Sequence, residues 1–204
     1  EELGSKSPEV AFYAFIKLPE GKMSTRKANV VFMDDLLDEA EERAFIAVKE
    51  LRGDELDDER MRSIATAVGS SAVRFNIIKV APEKGFTFRW EDALSFEGDS
   101  APFLMYSHTR TCSIIRKVAS EGHDVEKLVE QAIEEEVWTE IPDSESLISL
   151  VRVLGRHLEV LEKSILSHSP HLFAKHLLLL ASSFNGFYRD RPVIKDGKVS
   201  LLDL

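Results

Sequence analysis

Ser144 to Pro170 reads SESLISLVRVLGRHLEVLEKSILSHSP, and its spacing decides the fold class. Leu147, Val151, Leu154, Leu158, Leu161 and Ile165 recur every three or four residues, the period of one apolar face of an α-helix. Ser169-Pro170 follows, a capping residue with proline at the first helical position, where its missing N–H costs nothing. The spacing predicts one helix over 144–167 and another over 170–188. Working back toward the N-terminus, the same period predicts helices over 124–136 and 103–120. Met61, Ile64, Ala65, Val68, Ala72, Phe75 and Ile78 mark another that runs up to Pro82, where helical hydrogen bonding cannot continue. Leu37, Ala40, Ala44, Val48 and Leu51 mark a helix from residue 34, capped by Asp34 or Asp35 and ended by Gly53. The expected fold is therefore mainly α, an antiparallel helical bundle.

Two stretches break the helical pattern. VAFYAFIK at Val10 to Lys17 is short and aromatic, lies between Pro8 and Pro19-Glu20-Gly21, and suits a strand entering a loop. Asn29 to Met33 is a second short apolar run, so the two could form a strand-loop-strand unit trailing from something larger. Between Pro82 and Pro102, glycines and aromatics suit an ordered irregular stretch or short strands.

The chain has 204 residues, 44% of them hydrophobic and 30% charged, a balance that supports a folded core and argues against a disordered or fibrous chain. Its most apolar stretch, His176 to Ala181, is far shorter than the roughly 20 residues a bilayer span needs. Glu1-Glu2 open the sequence with no basic cluster leading into an apolar run, so a cytoplasmic address is expected. A single cysteine, Cys112, excludes an intrachain disulfide and a cysteine-based zinc site, and its neighbours suit a packed side chain. His168, His171 and His176 are close enough in sequence to raise a metal site, but the spacing suits packing better, and no metal site is expected. The net charge of −10 is adverse for a phosphate-binding surface as a whole. It is unevenly spread: basic residues gather at 22–27, 110–117 and 189–191, leaving positive patches on a negative chain.

The chemistry centres on Leu18 to Met33, LPEGKMSTRKANVVFM. Gly21 gives the backbone freedom, and two hydroxyls lie between Lys22 and Arg26-Lys27. Such a loop can clasp a polyphosphate, because lysine and arginine donate charge-assisted hydrogen bonds to phosphate oxygens. On charge alone a solvated basic turn is the better explanation. The string Lys22-Met23-Ser24-Thr25-Arg26-Lys27, preceded by Leu-Pro-Glu-Gly, resembles the KMSK-type signature of class I aminoacyl-tRNA synthetases in its arginine-specific form. The resemblance implies that Lys22, Met23, Ser24, Arg26 and Lys27 bind the phosphates of ATP, with Lys22 and Arg26 acting in catalysis. It also implies Mg2+ arriving with the nucleotide, and L-arginine as the amino acid. Ala28 stands where this subfamily usually has glycine.

Phe88 to Lys117, FRWEDALSFEGDSAPFLMYSHTRTCSIIRK, resembles the entry to the anticodon-binding domain of the same family, named for an Asp-Ala-Leu-Arg signature. It implies tRNA contact from the loop Glu97-Gly98-Asp99-Ser100 and from Tyr106 and Arg110 on the following helix. A tyrosine offers a stacking surface to an unpaired base and an arginine a phosphate or stacking contact. Without the resemblance, Tyr106 would pass for a core residue with its hydroxyl at the surface. Phe184 to Val193, FNGFYRDRPV, resembles the run near the end of that domain and implies a further stacking position at Tyr188. Phe184, Phe187, Trp90 and Trp138 are assigned to packing.

The resemblance divides the chain into 1–33, the tail of a Rossmann-type catalytic domain, 34–95, a helical connector, and 96–204, an anticodon-binding bundle lacking its last helix. The partner implied is tRNA(Arg), bound by a monomer. No His-x-Gly-His string occurs, so the chain is expected to be a fragment unable to activate arginine by itself. A free-standing tRNA-binding module and a helical interaction protein without catalysis are the rival expectations.

Overall fold

The structure is a computed structural model, and it describes residues 10–19, 31–137, 144–195 and 198–200. The mainly α fold expected from the periodicity is what forms. The elements in order are β1 (Ile16–Lys17), α1 (Met33–Arg52), α2 (Asp58–Ile78), β2 (Phe86–Thr87), α3 (Trp90–Ala93) and α4 (Ala101–Ser120). They continue with α5 (Val125–Glu134), α6 (Glu145–Gly155), α7 (His157–Leu166), α8 (Pro170–Asp190), β3 (Ile194–Lys195) and β4 (Lys198–Val199).

α1 and α2 form an antiparallel hairpin built on small side chains. Ala40, Ala44, Ala65 and Ala72 are all but fully buried. At Gly69 an added Cβ would lie 2.7 Å from the carbonyl of Ala40 and 2.8 Å from the Glu41 nitrogen. A backbone approach this close admits only glycine. Asp57 caps α2 by accepting from the Arg60 N–H at 2.7 Å. α1 begins one residue earlier than expected and has Phe32 at its cap position, so Asp34 and Asp35 lie in the first turn, where they oppose the helix dipole without capping.

The strand expected over residues 10–17 is confined to Ile16–Lys17, which pairs in parallel with Phe86–Thr87. That partner is 70 residues away; of the 29–33 run, Asn29 and Val30 lie outside the described residues. Ile16, Leu18, Phe86 and Trp90 pack on a core of Ala40, Ala72, Val73, Phe88 and Ala93, which joins the N-terminal segment to the α1–α2 hairpin. Phe88 meets Trp90 edge-on at 4.9 Å, as the packing assignment of Trp90 requires. Trp138 lies outside the described residues.

A second core of Phe75, Ala101, Ala174 and Leu178 joins α2 to α4 and α8. Contacts between α4 and α8 advance together, from Ala101 near Ala174 to Ser107 against Asn185 and Arg110 against Tyr188. These two helices therefore run in the same direction, while α7 and α8 form an antiparallel hairpin through a turn at 167–169. Pro170 occupies the first turn of α8 as expected, but the Ser169 hydroxyl donates to the Ser167 carbonyl instead of capping.

The single helix expected over 144–167 is two. α6 ends at Gly155 and α7 begins at His157, with Arg156 between them. Most of the apolar stripe does not face inward: Val151, Leu154, Leu158 and Ile165 are exposed, and of the stripe only Leu147 is buried, while Val153 and Ser164 outside it are buried too.

Candidate nucleic-acid interface

Residues 101–120 hold Arg110, Arg116 and Lys117 and no carboxylate, so α4 is a positive rod on an acidic molecule. Ser100 starts it by accepting from the Phe103 N–H at 3.2 Å, and Pro102 occupies the first turn. One turn of helix separates Tyr106 from Arg110 and brings them onto one face. Because α8 runs alongside in the same direction, Tyr188 arrives at the same place.

The Arg110 guanidinium carbon lies 5.1 Å from the Tyr106 ring centre and 5.3 Å from the Tyr188 ring centre. One guanidinium nitrogen donates to the Tyr106 hydroxyl at 3.0 Å. Another donates to Asn185 Oδ1 at 3.2 Å. Phe184 stacks on Tyr188 at 6.0 Å. Tyr106 is 50% exposed, which leaves ring surface open to a ligand. Beside this cluster, Arg110, Ser113, Ile114, Lys117, Tyr188 and Ile194 line a cavity of about 150 Å³. Three of the residues expected to contact RNA are thus brought together. Asn185 and Ser107 were not expected there; the asparagine falls within the matching 184–193 run, but its position across from Arg110 depends on how two helices pack.

The Glu97–Ser100 loop lies elsewhere, about 15 Å along α4 from Arg110 at 1.5 Å per residue. Gly98 has φ +81°, the left-handed conformation that glycine adopts without strain. Ser100 is buried, and its hydroxyl donates to the Ser95 carbonyl while capping α4, so it builds the loop more than it presents a surface. The Asp99 carbonyl accepts from Lys79 Nζ at 2.5 Å. Burial pushes the Lys79 pKa below its usual value, against the opposing pull of Asp99 and Asp92.

Residues 22–27 of the basic loop, with Ala28, lie outside the described residues. The chain on either side is described: Pro19 and Val31 both line a cleft of about 690 Å³ with Leu18, Leu36, Arg43 and Trp90. Arg43 stacks over Trp90 at 5.1 Å and pairs with Glu39 at 2.8 Å, so α1 and the β2–α3 junction form a fixed wall next to the loop's two ends.

Among the described residues no group of three or more His, Cys, Asp or Glu could hold a metal ion. His157 and His176 instead face each other at 5.3 Å, with Phe173 against both. His176 is buried, and burial pushes its pKa below 6.5, with His157 and Arg156 adding to the effect. No helix among the described residues is long and apolar enough to cross a membrane.

Comparison with known proteins fits this arrangement. Residues 104–202 match the DALR anticodon binding domain, and residues 9–90 match the catalytic domain of class I tRNA synthetases of the arginine type. The arginine–tRNA ligase of Methanocella arvoryzae is 41% identical over 97% of this chain and 34% of its own length. That of Methanothermobacter thermautotrophicus is 42% identical over 95% of this chain and 32% of its own length. The chain thus spans about a third of the curated relatives it matches. Among solved structures, Thermus thermophilus arginyl-tRNA synthetase superposes with a TM-score of 0.68 at 30% identity, covering 92% of this chain and 28% of the other. The Plasmodium falciparum enzyme superposes with a TM-score of 0.67 at 19% identity, over 82% of this chain and 28% of its own, a likeness of fold.

Proposed function

The chain belongs to the arginyl-tRNA synthetase family, and on that footing we propose that it serves the ATP-dependent ligation of arginine to tRNA(Arg). It would supply a phosphate-binding loop at residues 22–27 and the helical surface that holds the anticodon loop. The observation that carries the second role is the Arg110 guanidinium held between Tyr106 and Tyr188. Unpaired loop bases can stack on exposed tyrosine rings, while a guanidinium beside them reaches a phosphate.

For the loop, the support is the string itself. Lys22, Arg26 and Lys27 are cations and Ser24 a donor hydroxyl, a set that fits the phosphates of ATP, and Mg2+ would travel with those phosphates. As the nucleotide is cleaved in activating arginine, negative charge grows on the departing pyrophosphate. Lys22 and Arg26 would stabilise that charge in the transition state. The 204 residues hold no His-x-Gly-His string, so alone they would neither exchange pyrophosphate into ATP with arginine nor charge tRNA.

RNA binding tests the interface. One lost stack is worth roughly 1–3 kcal/mol, so Tyr188→Ala should weaken binding of a tRNA(Arg) transcript about tenfold or more at unchanged helicity. Binding equal to the parent in both Tyr106→Ala and Tyr188→Ala would remove the interface from this surface.

A further inference from the structure

Arg110 is held by neutral groups alone. Its guanidinium donates to the Tyr106 hydroxyl and to Asn185 Oδ1, and among the described residues it enters no ion pair. Asn185 is anchored in turn: its Nδ2 donates to Ser107 Oγ at 2.8 Å, and that hydroxyl donates to the Phe103 carbonyl at 3.0 Å. Ser107 is buried, so water does not readily replace it.

The chemistry of the groups fixes the orientation of the amide. Arginine has donors only, so the oxygen of Asn185 must face it; Ser107 Oγ spends its own proton on Phe103, so it must accept from the NH2 end. The relay thus runs from the α4 backbone through Ser107 and Asn185 to one edge of the guanidinium, and the Tyr106 hydroxyl holds another edge. An arginine side chain is rich in rotamers, and restricting it before a ligand arrives lowers the entropic cost of binding.

We infer that Asn185 is a positioning residue that holds the Arg110 guanidinium between the two tyrosines while leaving its positive charge unpaired for an RNA phosphate. Asparagine suits both demands. An apolar residue of similar size would release the guanidinium, whereas an aspartate would hold it but neutralise it. The inference rests on the interface proposed above and assigns Asn185 no direct contact with RNA.

Binding of a tRNA(Arg) transcript to the chain, measured across a potassium chloride series, tests this with Asn185→Leu and Asn185→Asp, each made also in an Arg110→Ala background. With Arg110 present, Asn185→Leu should weaken binding about fivefold to tenfold. Asn185→Asp, close to isosteric and so the variant less exposed to misfolding, should weaken binding and reduce the salt slope by about one phosphate contact, roughly 0.7–0.9. In the Arg110→Ala background neither change should matter further. A residue that merely ties α8 to α4 would give equal losses in both backgrounds and leave the slope of the aspartate variant unchanged, and either result overturns the inference. If Arg110→Ala and Tyr188→Ala themselves bind like the parent, the interface is wrong and this inference falls with it. If they weaken binding while Asn185 shows no coupling to Arg110, the interface stands and only the positioning role is lost.

Discussion

Two glycines in helices show how a single residue can mean opposite things. Gly69 is where α1 and α2 touch, and a methyl group there would meet the Ala40 backbone at 2.7 Å. The hairpin would have to part, so Gly69→Ala should destabilise the protein by about 1–3 kcal/mol despite alanine's better helix propensity. Gly186 in α8 has nothing within 4 Å of an added Cβ, and Gly186→Ala should stabilise by up to about 1 kcal/mol. Urea midpoints of the two variants should move in opposite directions. Sequence could not separate them, because the contact at Gly69 comes from a helix some thirty residues away. Tyr106, Arg110 and Tyr188 could be named as candidates because residue type and resemblance agreed, and the fold brings their side chains together; Asn185 could not, since its contact with Arg110 exists only across the α4–α8 gap. His176 gives a pH prediction. Its folded pKa lies below 6.5 because burial, then His157 and Arg156, disfavour the imidazolium. The unfolded chain therefore takes up this proton first. The contribution of His176 is fully present above pH 6.5 and is lost as pH falls toward the lower folded value. Urea midpoints should drop over that window, and His176→Gln should flatten the drop; an equal slope in both proteins would discount the histidine.

At the scale of elements, most helices could be read from their period, and proline, serine and aspartate marked several of the boundaries. What could not be read is which face turns inward and where a helix breaks. Leu147, Val151, Leu154, Leu158, Leu161 and Ile165 have one uninterrupted spacing, yet Arg156 lies between two helices, and Leu158 is 75% exposed. The neighbour that decides this is α8, which packs on the faces carrying Val153 and Ser164. Leu158→Ser should accordingly change stability by under about 0.5 kcal/mol, as for other surface sites. Leu147→Ala, at a buried position of the same stripe, should cost about 2–5 kcal/mol. A large loss at Leu158 would mean that the face is covered in solution. A strand at 10–17 and short strands within 82–102 were expected, but their extent and pairing were not: Ile16 pairs with Phe86, and so short a ladder leaves no period of its own.

For the whole molecule, a net charge of −10 and the proposed RNA-binding surface are reconciled by segregation. α1 alone carries seven carboxylates against three cations, while α4 carries three cations and no carboxylate. At physiological ionic strength the field is screened within about 8 Å, so acidic α1 does little to weaken a phosphate held at Arg110. The same segregation limits how many phosphates can be engaged. Arg110 and Lys117 flank the cavity beside Tyr188, and on the proposed interface they would, with one further cation from the end of α8, make two or three phosphate contacts. Each contact with a single strand contributes a slope of about 0.7, so the logarithm of tRNA affinity should fall against the logarithm of salt concentration with a slope near −1.5 to −2. Stacking on Tyr106 and Tyr188 releases no counterions and should persist at high salt. Binding should therefore decline gently with salt, and the residual high-salt affinity should disappear in the Tyr106→Ala, Tyr188→Ala double variant. A slope several times steeper, with affinity vanishing at moderate salt, would mean that a diffuse basic surface and not this cluster holds the RNA.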